Sequence, residues 1–364
     1  MNYGYVKVAA AVPRVKVADC KFNAGEIEKE IIIAEGKGVQ IIAFPELCVT
    51  GYTCGDLFTQ DVLLQAAKQA LLEITEFTRE KDMLVFVGVP LVVDAKLYNV
   101  AAALCRGEIL GLTTKTFLPN YGEFYEMRQF TAGPDVPGEI LFNGKKVPFG
   151  PGLLFQASSM EELIVSAEIC EDVWSPIPPS IRAAMEGATV IVNCSASDET
   201  IGKDSYRRDL IKGQSARLIA GYIYANAGEG ESTTDLVFGG HNLIAENGTI
   251  LAESRRFVNG ALYADLDIHR LDNERRRMTT CRFVPDLAPE GQDVFYNEVY
   301  FNAGRGVTPL TRKFDSRPFV PGIKEERERR CDEILNIQAM GLKKRLAHIH
   351  CQNAVIGLSG GLDS

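Results

Sequence analysis

Histidine is scarce in this chain of 364 residues: only His241, His269, His348 and His350 occur. None follows an apolar, strand-like run, and the last two fall in a strongly charged helical stretch. That argues against a cysteine–histidine catalytic pair. Positive charge is also short, with 39 Lys and Arg against 48 Asp and Glu and a net charge of −9. Nonspecific nucleic-acid binding needs a basic face, so no nucleic-acid partner is expected. Nucleotides are not excluded, because backbone N–H groups hold them locally. The nine cysteines include no Cys-x-x-Cys pair, and their number is odd. Buried thiols in a reducing compartment fit that pattern, so a cytoplasmic location is expected. The longest apolar stretch, "MLVFVGVPLVV" at 83–93, is too short to span a bilayer and contains Gly and Pro. The first residues, "MNYGYVKVAA", lack the apolar core of a signal peptide. No membrane partner is expected. No Walker A sequence, internal repeat or low-complexity tract is found.

What is present fits a globular protein, with 46% hydrophobic and 24% charged residues. The length allows one large domain or two ordinary ones. "YVKVAAAV" and "VQIIAF" read as strands, "NAGEIEKEIIIAEGKG" and "DVLLQAAKQALLEITEFTREK" as helices. "MLVFVGVPLVV", "LYNVAAALC" and "EILGLTTKTFL" follow with short turns, as antiparallel neighbours do. After a loop at 118–137 come further strands, with helices near 179–187 and over 203–220. The mixture predicts helices flanking sheets in layers. Residues 284–321, rich in Pro, Gly and charge, read as a linker between a domain at 1–283 and a second beginning at 322. The second starts with a charged helix, "KEERERRCDEILNIQAMGLKKRLAHIH", and a short apolar run at 354–356 read as a buried strand.

Three polar groups sit at strand ends, where layered α/β folds carry their chemistry. In "IIAFPELCVTGY", Glu46 follows a buried strand and a proline. A partly desolvated carboxylate there is a candidate general base, although a solvated glutamate is the simpler reading of the segment alone. In "LTTKTFLPNYGEFYEMRQF", Lys115 ends a strand before an aromatic-rich loop. It is a candidate oxyanion partner or a snorkelling surface lysine, and its neighbours Tyr121 and Glu126 favour the first. In "LIVSAEICEDVWSP", Cys170 stands at a strand-to-turn transition before the only tryptophan. A nucleophilic thiolate there needs a cation and a base, because Glu171 and Asp172 oppose its charge. Lys115 is the candidate cation. With histidine lacking, a glutamate is the natural base.

Glu, Lys and Cys, each at a strand end and in that order, resemble the nitrilase (carbon–nitrogen hydrolase) superfamily. "FPELCVTGY", "KTFLPNYGEFYEMRQF" and "EICEDVW" resemble its three motifs, and the match covers roughly residues 5–270. The fold this implies is a four-layer αββα sandwich. The chain ends in Ser359-Gly360-Gly361-Leu362-Asp363-Ser364, which resembles the PP-loop of ATP pyrophosphatases. Gly357, Ser359, Gly360, Gly361, Asp363 and Ser364 would cradle ATP phosphates at the start of a Rossmann-like domain. Such domains often take ammonia from a glutaminase. An N-terminal-nucleophile glutaminase needs Cys at position 2, where this chain has Asn2, and a Cys-His-Glu type needs a suitable histidine. A nitrilase domain followed by a PP-loop resembles the glutamine-dependent NAD⁺ synthetases, as do "AGEGESTTDLVFGGHNLIAENG" and "NCSASDETIGKD".

That resemblance implies hydrolysis of L-glutamine by Cys170, with Glu46 as base, Lys115 at the oxyanion and Glu126 orienting Lys115. It implies Tyr121, Ser197 and Lys203 as glutamine-binding residues. Relatives carry arginine where Lys203 stands, and lysine gives up the bidentate fork. No cofactor or metal is expected for the glutaminase. The full enzyme would use ATP, Mg²⁺ and deamido-NAD⁺ and form a homo-oligomer, and this chain by itself is expected not to make NAD⁺. The alternatives are a stand-alone amidase, such as an N-carbamoyl amino acid hydrolase, and a catalytically inactive nitrilase-fold scaffold.

Overall fold

The computed structural model describes residues 3–280, 298–302, 309–314 and 316–361. Contacts divide the chain into two units, Met1–Thr311 and Arg312–Ser364. In chain order the first contains β1 (Tyr5–Val12), α1 (Cys20–Gly36), β2 (Ile41–Ala43), α2 (Asp61–Phe77), β3 (Leu84–Val93), β4 (Lys96–Cys105), β5 (Glu108–Thr114), β6 (Gly138–Phe142) and β7 (Lys145–Phe149). It continues with β8 (Leu154–Ala157), β9 (Ile164–Ile169), α3 (Pro179–Met185), β10 (Val190–Ser195), α4 (Lys203–Leu218), β11 (Gly221–Asn226), β12 (Leu243–Glu246), β13 (Thr249–Glu253), β14 (Gly260–Asp267), α5 (Ile268–Arg277) and β15 (Glu298–Phe301).

An eight-stranded sheet has the order β14-β1-β2-β3-β4-β5-β7-β6, and a seven-stranded sheet β13-β12-β11-β10-β9-β8-β15. Each is parallel at its centre, β1–β2–β3 in one and β9–β10–β11 in the other. The central strands are apolar on both faces because both faces are covered. On β3, Val85, Val87 and Val89 face one apolar cluster with Ile27, Ile31, Leu71 and Ile74 of α1 and α2. Leu84 and Phe86 face a second cluster with Val165, Val192 and Ile223 of the other sheet. Tyr222 and Tyr224, on the outer face of β11, pack in a third cluster with Ala183 of α3 and Ile211 and Leu218 of α4. The four layers are helices, sheet, sheet and helices, the αββα sandwich of the nitrilase fold.

β2 runs parallel to β3, and β5 runs the same way because two antiparallel steps, β3–β4 and β4–β5, restore direction. The segments after β2 and β5 therefore emerge on one edge of the first sheet. Those after β9 and β10 emerge together on one edge of the second.

The linker expected at 284–321 is not wholly a linker. Within it, Glu298–Phe301 forms a parallel ladder with β8. Thr311 N and Oγ1 donate to Asp265 Oδ2 at 2.7 and 2.8 Å, which ties the chain to β14. A short apolar run finds the open edge of β8 despite the Pro- and Gly-rich sequence around it.

In the second unit, the charged helix is observed as α6 (Lys324–His348), with no buried residue. The buried strand expected at 354–356 is absent. Val355 and Ile356 are 98% and 72% exposed and form no ladder. A strand is stable only when paired, and the described part of this unit contains no other strand. No described helix is long and apolar enough to cross a membrane.

Candidate active site

Glu46 lies three residues beyond β2 and is fully buried. Its Oε1 accepts from Lys115 Nζ and from Asn99 Nδ2, both at 2.6 Å. Its Oε2 accepts from the backbone N–H of Ala196 at 3.0 Å. The carboxylate thus bridges the two sheets. The Pro45–Leu47 backbone that carries it approaches β3 closely because residue 88 is glycine. A Cβ there would stand 2.2 Å from Leu47 N and 2.5 Å from Pro45 O.

Lys115 is the residue after β5 and is 1% exposed. Its Nζ donates to Glu46 Oε1 and Glu126 Oε1, each at 2.6 Å. Burial opposes its charge, but Glu126 and Glu46 outweigh burial and hold the ammonium well above the usual lysine range. Glu126 opens a short helix, Glu126–Arg128. Its Oε1 also accepts from Tyr52 OH at 2.9 Å. Its Oε2 is buried with no hydrogen-bond partner. Burial raises the Glu126 carboxyl, Lys115 draws it down and Glu46 adds to the rise.

Cys170 follows β9 with φ +44°, a left-handed conformation that a side chain rarely adopts. Its N–H donates to Asn193 Oδ1 at 3.1 Å. Asn193 Nδ2 in turn donates to Tyr222 OH at 3.2 Å. Burial pushes the thiol far above its ordinary value, and Glu46 pushes it further. Lys115 and the Ser195 hydroxyl pull the other way without overcoming the rise, and Glu126 adds to it. The sulfur therefore shares one electrostatic cluster with Glu46, Lys115 and Glu126, in which burial disfavours the thiolate. The main opposing carboxylate is Glu46 rather than the sequence neighbours. Glu171 Oε1 is engaged by Tyr121 OH at 2.7 Å, and Asp172 by backbone N–H groups.

A family model for "Carbon-nitrogen hydrolase" matches residues 7–276. The chain belongs to the carbon–nitrogen hydrolase family. It is 40% identical over its whole length to a glutamine-dependent NAD(+) synthetase of Mycobacterium leprae, of which it spans 54%. The chain thus spans about half the length of the curated relatives it matches. A crystal structure of a glutamine-dependent NAD(+) synthetase from Cytophaga hutchinsonii aligns with a TM-score of 0.65 at 32% identity, over 72% of this chain and 43% of that one. A nitrilase-superfamily amidase from Nesterenkonia aligns with a TM-score of 0.58 at 21% identity, over 76% of this chain and 99% of that one. The last likeness bears on the fold alone.

In this carbon–nitrogen hydrolase the other expected residues surround the cluster unevenly. Lys203, the first residue of α4, is ion-paired with Asp198. Its Nζ lies 5.7 Å from the ring centres of both Phe124 and Trp174. Tyr121 packs edge-on against Phe124 at 6.0 Å. Ser197 is buried, and its Oγ accepts from Arg207 Nη2 at 3.2 Å. A cavity of about 270 Å³ is lined by Tyr52, Phe124, Glu126 and Phe130 among others. Cys170, Tyr121, Ser197 and Lys203 are not part of its wall, so Glu126 is the group shared between cavity and cluster.

The supports that sequence reasoning missed are Asn99, Asn193, Ser195 and Gly88. All but Gly88 are polar residues inside apolar strands, which is the signal that marks them. His241 is buried against Arg207 and Glu253, at 3.0 Å each, outside the cluster. Gly357, Ser359, Gly360 and Gly361 are exposed, and Asp363 and Ser364 lie outside the described residues. The expected phosphate loop is therefore described only as far as Gly361.

Proposed function

We propose that this chain is the glutamine-hydrolysing half of a glutamine-dependent NAD⁺ synthetase, with Glu46, Lys115 and Cys170 as its catalytic residues. The observation that carries the proposal is the buried ammonium of Lys115, held at 2.6 Å by both Glu46 and Glu126 within electrostatic reach of the Cys170 thiol.

A thiol raised by burial needs a base, and Glu46 is the carboxylate that acts on it most strongly. Cys170 attacks the side-chain amide carbon of glutamine while Glu46 accepts the thiol proton. Lys115 stabilises the oxyanion of the tetrahedral intermediate, and Glu126 keeps Lys115 in place. The proton on Glu46 passes to the leaving ammonia. Water, deprotonated by Glu46, then hydrolyses the γ-glutamyl thioester and frees glutamate. Tyr121, Ser197 and Lys203 hold the glutamine. Because Asp198 already pairs with Lys203, the substrate's α-ammonium and α-carboxylate find opposite charges side by side.

The similarity at 40% identity favours a synthetase glutaminase over a stand-alone amidase or an inactive scaffold. ATP, Mg²⁺, deamido-NAD⁺ and homo-oligomer formation belong to the whole enzyme in this proposal, as does a cytoplasmic location. The test is ammonia release from L-glutamine compared with an N-carbamoyl amino acid. Turnover of glutamine that disappears in Cys170→Ala supports the reading. Preference for the carbamoyl substrate overturns it in favour of the amidase, and turnover of neither favours the scaffold.

A further inference from the structure

Asp172 is an acidic residue buried to 1% exposure, two positions past Cys170, and the mechanism gives it no part. Its oxygens divide their work. Oδ2 accepts the N–H of Ile169, the residue before Cys170, at 2.9 Å. Oδ1 accepts the N–H groups of Thr116 and Phe117, the two residues after Lys115, at 3.1 and 2.9 Å. β5, which leads to Lys115, and β9, which leads to Cys170, lie in different sheets and share no ladder. The Asp172 carboxylate therefore ties together backbone groups of two segments from different sheets, one delivering the sulfur and the other the ammonium, which are also linked through the Tyr121–Glu171 side chains.

We infer that Asp172 is a positioning residue: its carboxylate clamps the backbone on either side of the site and sets the distance between the Cys170 sulfur and the Lys115 ammonium. The inference rests on the glutaminase reading for its substrate, but the clamp acts on backbone groups and touches no substrate atom. The chemistry of the clamp requires two acceptors. In Asp172→Asn one oxygen becomes an NH₂ group, which would face an N–H donor and open one side. The misplacement expected is of the order of an ångström, which lowers a chemical step by up to about 100-fold when reacting groups lose alignment. The binding of glutamine is left nearly unchanged.

The test compares the protein with its Asp172→Asn variant, both checked for cooperative thermal unfolding. Expected is a fall in kcat of roughly 10- to 100-fold with KM for glutamine within about threefold. Two thiol reagents then separate alignment from folding. Chloroacetamide carries an amide carbonyl for Lys115 to grip. Methyl methanethiosulfonate carries none and reports the thiol alone. The rate ratio of the first to the second at Cys170 should fall about tenfold in the variant. An unchanged ratio overturns the inference, as does a kcat within twofold of the parent. If Asp172→Asn does not fold, Asp172→Glu, which keeps both acceptors but lengthens the clamp by one methylene and so displaces the two segments it holds, takes its place with the same criteria. Should the parent protein fail to hydrolyse glutamine, the functional reading falls, and the reagent ratio still decides the clamp.

Discussion

Two stretches of this chain follow short apolar runs: Pro45–Leu47, with its carboxylate and facing Gly88, and the glycine-rich Gly357–Gly361 loop. In the first, the preceding run is paired on both sides, β1 on one and β3 on the other. Its carboxylate is fixed by three hydrogen bonds from three different segments. In the second, the run at 354–356 pairs with nothing among the described residues, and the loop beyond it is exposed. A short apolar run leads to a buried ion cluster in one place and an exposed loop in the other. The difference is the set of neighbours that each strand end meets, since burial is what turns a carboxylate and a lysine into a fixed pair.

The comparison breaks most severely if the buried cluster is not where the chemistry happens. Cys170→Ala should reduce glutamine hydrolysis by ~10⁴-fold or more, measured as ammonia release, because the covalent route is lost entirely. Lys115→Met should lower kcat by ~10²–10³-fold as an oxyanion partner is removed. It should also cost about 3–5 kcal/mol of stability in denaturant titration, since two buried carboxylates are left without their cation.

The comparison sharpens when the same substitution is made in both regions. Gly88→Ala changes no chemical group but drives a Cβ into the Pro45–Leu47 backbone. A kcat loss of roughly 10- to 100-fold is expected as Glu46 shifts. Gly360→Ala meets no atom within 4 Å, and although φ is +82° the loop is exposed. Glutamine turnover should not change there, and stability in denaturant titration should fall by no more than about 1 kcal/mol, the cost of a Cβ at positive φ. Equal effects at the two positions would remove the distinction.

The pH dependence of the thiol refines the picture further. Burial and Glu46 raise the Cys170 thiol above its ordinary value. Its reaction with a small neutral alkylating agent, in the absence of substrate, should still be climbing above pH 9, beyond the ordinary thiol value of about 8.5. A rate plateau near pH 6 would mean a thiolate paired with Lys115 and no need for Glu46 as base.

Much of this was legible because strand ends announce themselves locally. Glu46, Lys115 and Cys170 each follow an apolar run that stops at a polar residue, and the helices α1, α2, α4 and α6 show as helical stretches in the sequence. What escaped was non-local. Gly88 and Asn99 act through segments tens of residues away, and no spacing in the sequence reports that approach. The β6–β7 hairpin was missed although Asn143-Gly144 forms its turn with φ of +48° and +77°, the pair of left-handed residues such turns require. Its flanking sequence, with Lys145 and Lys146 exposed, lacks the apolar alternation that draws attention. The opposite error arose at 354–356, where apolar character alone was read as burial.

The central claim is that one buried sulfur, served by Glu46 and Lys115, meets the amide end of glutamine. The most direct measurement is labelling with a chloroketone analogue of glutamine, followed by peptide mapping. The account expects a single adduct on Cys170, suppressed by excess glutamine and absent in Glu46→Gln. An adduct on another cysteine, or no adduct with the protein folded, would contradict it.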